Sequence, residues 1–498
     1  MFWLLPAFFL FSLAFGGIIV PKLNLILSLV CREYLFDRAS SDPNFIFAPV
    51  LLEKENPQCR IPEVQALVAQ FTLFLTIIPG ILSAIMSPKI GALSDRYGRK
   101  PFMIISSGGL FLSEIITILV AKYPDSLHYR WLLAGAAFDG ISGSFTVGMA
   151  LTHAYAADCT SPPKRGVAFG YFHACLFTGI ALGPLIAAAL IKVTGQYLFV
   201  FYVALTIHTL FMLFVALVVP ESLTKKRQLL ARDKHAREGE DIAWGGYTSA
   251  WAWKKLNILA PLKVLWPTGP GSSPHLRANL FLLASVDTII FGVAMGAMTV
   301  TVYYMGFQFG WDTADTSVFI FLVNTTRVSG LVILLPLLNY LVRTRRANKQ
   351  RRESGFAIPE KNSGSDTLDL NIIRTAILFE LLGFCGYAIA RTGTLFAAAG
   401  VVTAIGGIGS PTLQSALTKH VPHDMVGQLL GASGLLHALA RVVAPILFNL
   451  IYAGTVKTFP QAVFVVLAGF FGLALVVSWF IRPHGKPDPF QSAFIRAN

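Results

Sequence analysis

The chain has 498 residues, 54% of them hydrophobic and 13% charged, and a formal net charge of +14. Soluble domains carry about a quarter charged residues, so this is the composition of a polytopic membrane protein. The positive residues sit in a few loops between apolar runs, where they orient spans in a bilayer, so nucleic acid is not an expected partner.

In chain order, the run Phe2–Val30 has no basic region ahead of it, as a cleaved signal would, and reads as a first transmembrane helix interrupted by Pro21. Lys22 within it must face a cavity or snorkel. A polar stretch, Cys31–Pro62, follows, and Cys31 and Cys59 bracket it. They form either a disulfide, if the stretch faces an oxidising space, or two free thiols. The five cysteines of the chain include no Cys-x-x-Cys pair, so no metal or redox centre is expected. Helices 2 to 6 are expected at Glu63–Pro88, Pro101–Lys122, Leu127–Ala154, Val167–Val193 and Tyr197–Val219. A basic polar segment, Pro220–Arg277, reads as a linker able to lay a helix on the membrane surface. Helices 7 to 12 are expected at Ala278–Tyr304, Thr316–Val342, Asn371–Ala390, Thr394–Leu417, Gln428–Tyr452 and Gln461–Ile481. The stretch Arg343–Leu370 between helices 8 and 9 is basic, then Ser/Gly-rich, and is expected to be disordered.

The fold class is therefore an all-α membrane protein of twelve helices. Residues 1–219 form one six-helix bundle, 220–277 a cytoplasmic central linker, 278–482 a second bundle and 483–498 a cytoplasmic tail. Lys and Arg concentrate after helices 2, 6 and 8, which places the even-numbered loops and both termini in the cytoplasm.

Three stretches carry chemistry. Between helices 2 and 3 stands Gly91-x-Leu93-x-Asp95-Arg96-x-Gly98-Arg99-Lys100. Its glycines allow a tight turn and close helix approach, Asp95 can accept from helix N-terminal amides and an arginine, and the cations hold the cytoplasmic side. After helix 4 come Asp158 and Lys164-Arg165-Gly166, either partners of the Asp95 cluster or a solvated loop pair. Helix 5 carries Gly170, Gly179 and Gly183-Pro184, then Ala187-Ala188; small residues let helices approach, and Pro184 bends the helix.

The first stretch resembles motif A of the major facilitator superfamily, at the family's usual place, and the six-plus-six arrangement extends the resemblance over almost the whole chain. Helix 5 resembles motif C of the family's drug:proton antiporters, with Ala187-Ala188 where that group usually has Gly-Gly. Cys31-Arg32-Glu33-Tyr34, Pro62-Glu63-Val64-Gln65 and Asp139-Gly140 are also similar to the proton-coupled folate transporter group. Arg130 at the start of helix 4 is either a motif B-like arginine or an interfacial one. The resemblance implies two pseudo-symmetric bundles rocking about a central cavity.

Charges at membrane depth mark the candidate site. Glu114, Asp139, Asp287, Arg327, Glu380 and Arg441 fall in helices 3, 4, 7, 8, 9 and 11. Each costs about 2.5–3.5 kcal/mol at a helix centre, so each must face protein or cavity. Asp139 and Asp287 are the first choices for proton coupling, with Arg327 and Arg441 as counter-ions or anchors for an anionic substrate. His173 and His208 are expected to be hydrogen-bonded core residues. The expected function is proton-coupled movement of a small organic molecule. Motif C favours efflux by antiport, the folate-transporter likeness favours uptake by symport, and a sensor without transport is a third class. The chain is expected to be a monomer and no enzyme, in the plasma membrane or an endomembrane, needing no cofactor beyond a proton gradient.

Overall fold

The computed structural model describes residues 2–41, 48–50, 57–243, 259–268, 273–311, 313–354 and 364–483. Among them are twelve helices long and apolar enough to cross a membrane, and no strand. They are α1 (Leu4–Ser41), α2 (Pro62–Tyr97), α3 (Arg99–Lys122), α4 (Trp131–Cys159), α5 (Pro162–Thr194) and α6 (Tyr197–Leu217) in the N-terminal half. The C-terminal half holds α7 (Pro274–Phe309), α8 (Asp315–Glu353), α9 (Thr367–Ile389), α10 (Gly393–Thr418), α11 (His423–Thr455) and α12 (Ala462–Trp479). Helices serve because in lipid every backbone N–H and C=O must be satisfied within the segment.

Three spans are interrupted, each beside glycine. α1 divides at Ile18 into α1a (Leu4–Gly17) and α1b (Ile19–Ser41), so the break follows Gly16-Gly17 and Pro21 lies inside α1b. α4 was expected to be continuous. It instead divides at Ser142–Gly143 into α4a (Trp131–Ile141) and α4b (Ser144–Cys159). Gly143 has φ +96° and Ser144 φ +54°, and Ser144 is the one non-glycine residue with positive φ among the described residues. Such a backbone persists only where its surroundings fix it. α10 divides at Gly407–Ile408 into α10a (Gly393–Gly406) and α10b (Gly409–Thr418).

The basic half of the expected loop after helix 8 is helical, since α8 runs on through Arg345–Ser354 with two π-helical segments before it. The Ser/Gly-rich part at 355–363 lies outside the described residues, as does most of the tail. In the linker, Lys225–Ala243 forms a helix whose Arg232 Nε donates to the Arg96 carbonyl (2.9 Å) and whose guanidinium covers the Tyr97 ring (4.6 Å). That helix is therefore seated on the end of α2.

Glycine sets the helix contacts within the first half. A Cβ on Gly179 would collide with the Ser12 carbonyl, and one on Gly16 with the Gly179 carbonyl. Gly183 abuts Gly17 N in the same way, 2.5 Å from a built Cβ. The helix-5 glycines thus seat α5 against α1a, with Pro184 inside the helix. Gly170 faces the other half, against Leu335 of α8. The halves meet where α2 crosses α11, where α5 meets α8 and α10b, and where α4b meets α11. At the opposite end from Asp95, Cys31 and Cys59 are joined as a disulfide (Cα–Cα 5.5 Å), and Arg32 pairs with Asp125.

Candidate functional site

Polar groups stand at three levels along α11, Gly427 and Gln428 at its start, then Ser433 and His437, then Arg441, and the first and third are hydrogen-bonded across the two halves. From Gln428 to Arg441 is about 20 Å at 1.5 Å per residue.

The first level is built on the Asp95 stretch. Gly427 N–H donates to Asp95 Oδ1 (2.9 Å) and Gln428 N–H to Oδ2 (2.7 Å), so one carboxylate caps the helical run of α11. Arg99 is fully buried; its Nη2 lies 2.6 Å from Asp95 Oδ1, its Nε 3.0 Å from Asp158 Oδ2, and its Nη1 donates to Ser94 Oγ (2.7 Å). Gly91 and Gly427 are in backbone contact, and a Cβ on Gly427 would strike the Arg99 guanidinium. Gly98, at φ +100°, makes the turn from α2 into α3.

Having no side chain, Gly98 cannot cap α3. Glu221 does so from beyond α6, accepting from Arg99 N–H (2.8 Å) and Lys100 N–H (3.1 Å). The sequence reading missed Glu221; the only available signal was an uncapped helix start beginning at a glycine. Arg96 contributes its carbonyl to the linker helix. Arg165 does not bond Asp95. It crosses to the other half, donating to the Thr418 carbonyl (3.2 Å) and lying 3.0 Å from His423 Nδ1.

A second charged cluster lies at the same end in the C-terminal half. Arg343 bonds Asp366 (2.5 and 2.8 Å), Asp369 (2.7 Å) and, across the halves, the Pro163 carbonyl (2.7 Å). Lys419 Nζ lies 2.5 Å from Asp369. Asp366 and Asp369 form a capping box on α9. Burial alone would raise the Asp366 carboxyl, but the Arg343 guanidinium and the Asp369 N–H outweigh it and hold it below the usual carboxylate range.

The second level is a buried imidazole–carboxylate layer. Asp287 Oδ2 meets His437 Nε2 (2.9 Å) and accepts from Ser433 Oγ (3.1 Å). On the N-terminal side His153 stacks between Phe169 (4.3 Å) and His173 (5.0 Å), and His173 Nδ1 donates to the Phe169 carbonyl (3.1 Å). His153 and His437 were missed in the sequence, although His437 lies one helical turn before Arg441. Beside this layer Arg327 stands 3.6 Å from Glu380 and over the Phe177 ring (4.9 Å).

The third level is a partly open cavity. Phe8, Phe11, Phe15, Phe145 and Phe211 give it apolar walls, and Asp139, Ser144 and Arg441 its polar corner. Ser144 Oγ donates to Asp139 Oδ2 (2.7 Å) and accepts from Arg441 Nη1 (3.3 Å). The α4 break creates this corner, because it places the first residue of α4b beside the carboxylate near the end of α4a. Lys22 of α1b lies within electrostatic reach of both Asp139 and Glu114. Glu114 itself faces His208 Nδ1 at 2.7 Å. Arg130 is not part of this assembly: it precedes α4a, exposed, its N–H bonded to His128 Nδ1 (3.1 Å). Among the described residues no group of three or more His, Cys, Asp or Glu is placed to hold a metal ion.

A family model described as Major Facilitator Superfamily matches residues 55–352. The chain is 32% identical over 480 residues to the MFS-type transporter avaJ of Aspergillus versicolor, covering 96% of this chain and 88% of that one. It is 22% identical over 433 residues to the proton-coupled folate transporter of Rattus norvegicus, covering 86% and 83%. Among solved structures it resembles the human organic anion transporter MFSD10 (TETRAN), with TM-score 0.67, 17% identity and coverage of 96% and 98%. It also resembles the proton:xylose symporter XylE, with TM-score 0.58, 16% identity and coverage of 98% and 99%. At such identities these two likenesses concern the fold alone.

Proposed function

The chain belongs to the Major Facilitator Superfamily, and we propose that it carries a small amphipathic organic molecule across a membrane by proton-coupled alternating access. The halves rock about a site near mid-span. The observation that carries this reading is the corner of Asp139, Ser144 and Arg441, an ionisable pair from opposite halves bridged by one hydroxyl and opening into an aromatic cavity. Asp139 and, one level away, Asp287 are the proton carriers. The Asp95 cluster closes one end of the path and stabilises the conformer open at the other. Basic loops at that end support placing it, with both termini, in the cytoplasm.

Proton coupling can run in two forms. Efflux by antiport is supported by the helix-5 glycine pattern. Symport of an organic anion is supported by Arg441 beside Asp139. Proteoliposomes with an imposed pH gradient separate them: co-entry marks symport, and exit against the proton flow marks antiport. A metabolite comparison between cells with and without the protein supplies the solute. Asp139→Asn and Asp287→Asn, tested singly, are each expected to lose most gradient-driven transport while equilibrium exchange survives. Full gradient-driven transport in both variants refutes the reading.

A further inference from the structure

We infer that the cavity takes a monoanionic aromatic molecule, which replaces the Asp139 carboxylate on Ser144 and Arg441 when Asp139 carries a proton. This rests on the proton-coupled reading and selects its symport form.

The argument starts from charge. Asp139 is faced by Ser144 in its own span, by Arg441 from α11 and by Lys22 from α1b. Lys22 also feels Glu114 of α3, and His208 Nδ1 of α6 lies 2.7 Å from that carboxyl. At the corner itself the Arg441 guanidinium stands against the Asp139 carboxylate through Ser144, with Lys22 in reach of both Asp139 and the Glu114–His208 pair. Buried charge without a partner is costly, so this balance holds the empty corner together. A proton on Asp139 leaves one positive charge in surplus. One monoanion restores the balance, a neutral molecule leaves the surplus, and a cation doubles it.

The donors are already aimed. Arg441 Nη1 and the Ser144 hydroxyl are joined in a chain that ends on Asp139 Oδ2. When a proton from solvent binds an Asp139 oxygen, that carboxyl becomes a donor and Ser144 is released from donating to it. The Ser144 hydroxyl and the Arg441 guanidinium can then both donate to a ligand carboxylate, and no covalent bond other than the carboxyl O–H is formed. The five phenylalanines suit a flat apolar body, and Ser106 and Ser107 of α3 suit one polar substituent on it. Each anion binds with one proton, which makes the movement electroneutral.

The test uses full-length protein in nanodiscs and three size-matched probes: naphthoate, naphthalenemethanol and naphthylmethylammonium. Equilibrium binding is measured from about pH 5 to about pH 8, across the range where a carboxyl in such a site can titrate. Naphthoate is expected to bind best of the three, with affinity rising by up to about tenfold for each pH unit of acidification, one proton per ligand. Asp139→Asn is expected to hold naphthoate with an affinity independent of pH. Arg441→Gln is expected to lose about 100-fold, and Arg441→Lys to keep most of the binding. Thermal unfolding checks that each variant is folded, and the ranking of the three probes on the wild-type protein needs no variant at all. Absence of naphthoate binding at every pH, preference for the ammonium probe, or naphthoate affinity unchanged in a folded Arg441→Gln variant each overturns the inference. Those outcomes leave proton coupling standing. Full gradient-driven transport in both the Asp139→Asn and the Asp287→Asn proteoliposomes removes the coupling reading whatever the probes do.

Discussion

The Asp95 cluster and the Arg343 cluster lie at the same end of the molecule, each where the second helix of its half meets the third. Both set an arginine between two carboxylates, the fully buried Arg99 between Asp95 and Asp158 and the partly exposed Arg343 between Asp366 and Asp369. They differ in what crosses to the other half. From the Asp95 cluster a carboxylate crosses and holds two amides at the start of the α11 helical run. From the Arg343 cluster one hydrogen bond crosses, to a neutral carbonyl, while its ion pairs stay among α8, α9 and α10. Both crossings are charge-assisted, since a carboxylate accepts in one and a guanidinium donates in the other, but the Asp95 cluster makes two such bonds and the Arg343 cluster one. In the proposed alternating-access cycle the first cluster is the one expected to choose between conformers, and the second to hold the C-terminal half together.

Asp95→Asn is the strongest way to break this contrast. It removes the charge that Arg99 and the α11 amides share, while one amide keeps an acceptor. The closed conformer is expected to lose about 2 kcal/mol, less than the 3–5 kcal/mol of an outright broken buried pair. That moves the conformer ratio by about 30-fold, read as spin-label distances between the ends of α2 and α11. Transport should slow while the choice of solute stays the same. A changed solute preference counts against the conformational role.

Arg343→Gln is expected to cost about 1–2 kcal/mol of thermal stability in detergent. It should move the same spin-label distances by less than about a fivefold change in population. A shift as large as that of Asp95→Asn would erase the distinction between the clusters. The smallest effect is expected from Asp366→Ala, which loses the α9 cap for about 1 kcal/mol. Because the folded-state value of Asp366 is depressed, its contribution is complete above the unfolded carboxyl value, about pH 4, and is lost only as pH falls through the lower folded one. The stability difference between wild type and Asp366→Ala should therefore be flat from about pH 8 to about pH 5. A difference that shrinks within that range contradicts the depressed value.

Much of this was legible in the sequence. Runs of about 20 apolar residues can hardly be anything but spans, and a charge knot squeezed between two of them has few roles. Which charges meet was not legible. Asp139 and Arg441 are 302 positions apart, and Asp95 and Gly427 are 332 apart. No local pattern ties them, because helix packing alone brings them together. The interruption of α4 was hidden for a different reason: Ser142-Gly143-Ser144 sits in a run hydrophobic enough to read through, and the break depends on the Ser142 hydroxyl finding the Asp139 and Ser106 carbonyls. Arg130 stood open in the sequence between a motif B-like and an interfacial arginine, because residue type and rough position fit both; its place just before α4a, exposed, accords with the interfacial one.

The close crossing of α2 and α11 has a mechanical consequence. Ser87 Oγ donates to the Gly431 carbonyl (3.0 Å), and Gly431 packs on Pro88 with no side chain between. This contact is a fulcrum. On one side of it the arm to Gly427 is four residues, about 6 Å; on the other the arm to Arg441 is ten, about 15 Å. A tilt that draws the short arm off Asp95 swings the long one through more than twice the travel, in the opposite sense. Small play at the Asp95 end would thus become a large displacement of the Arg441 guanidinium that lines the cavity.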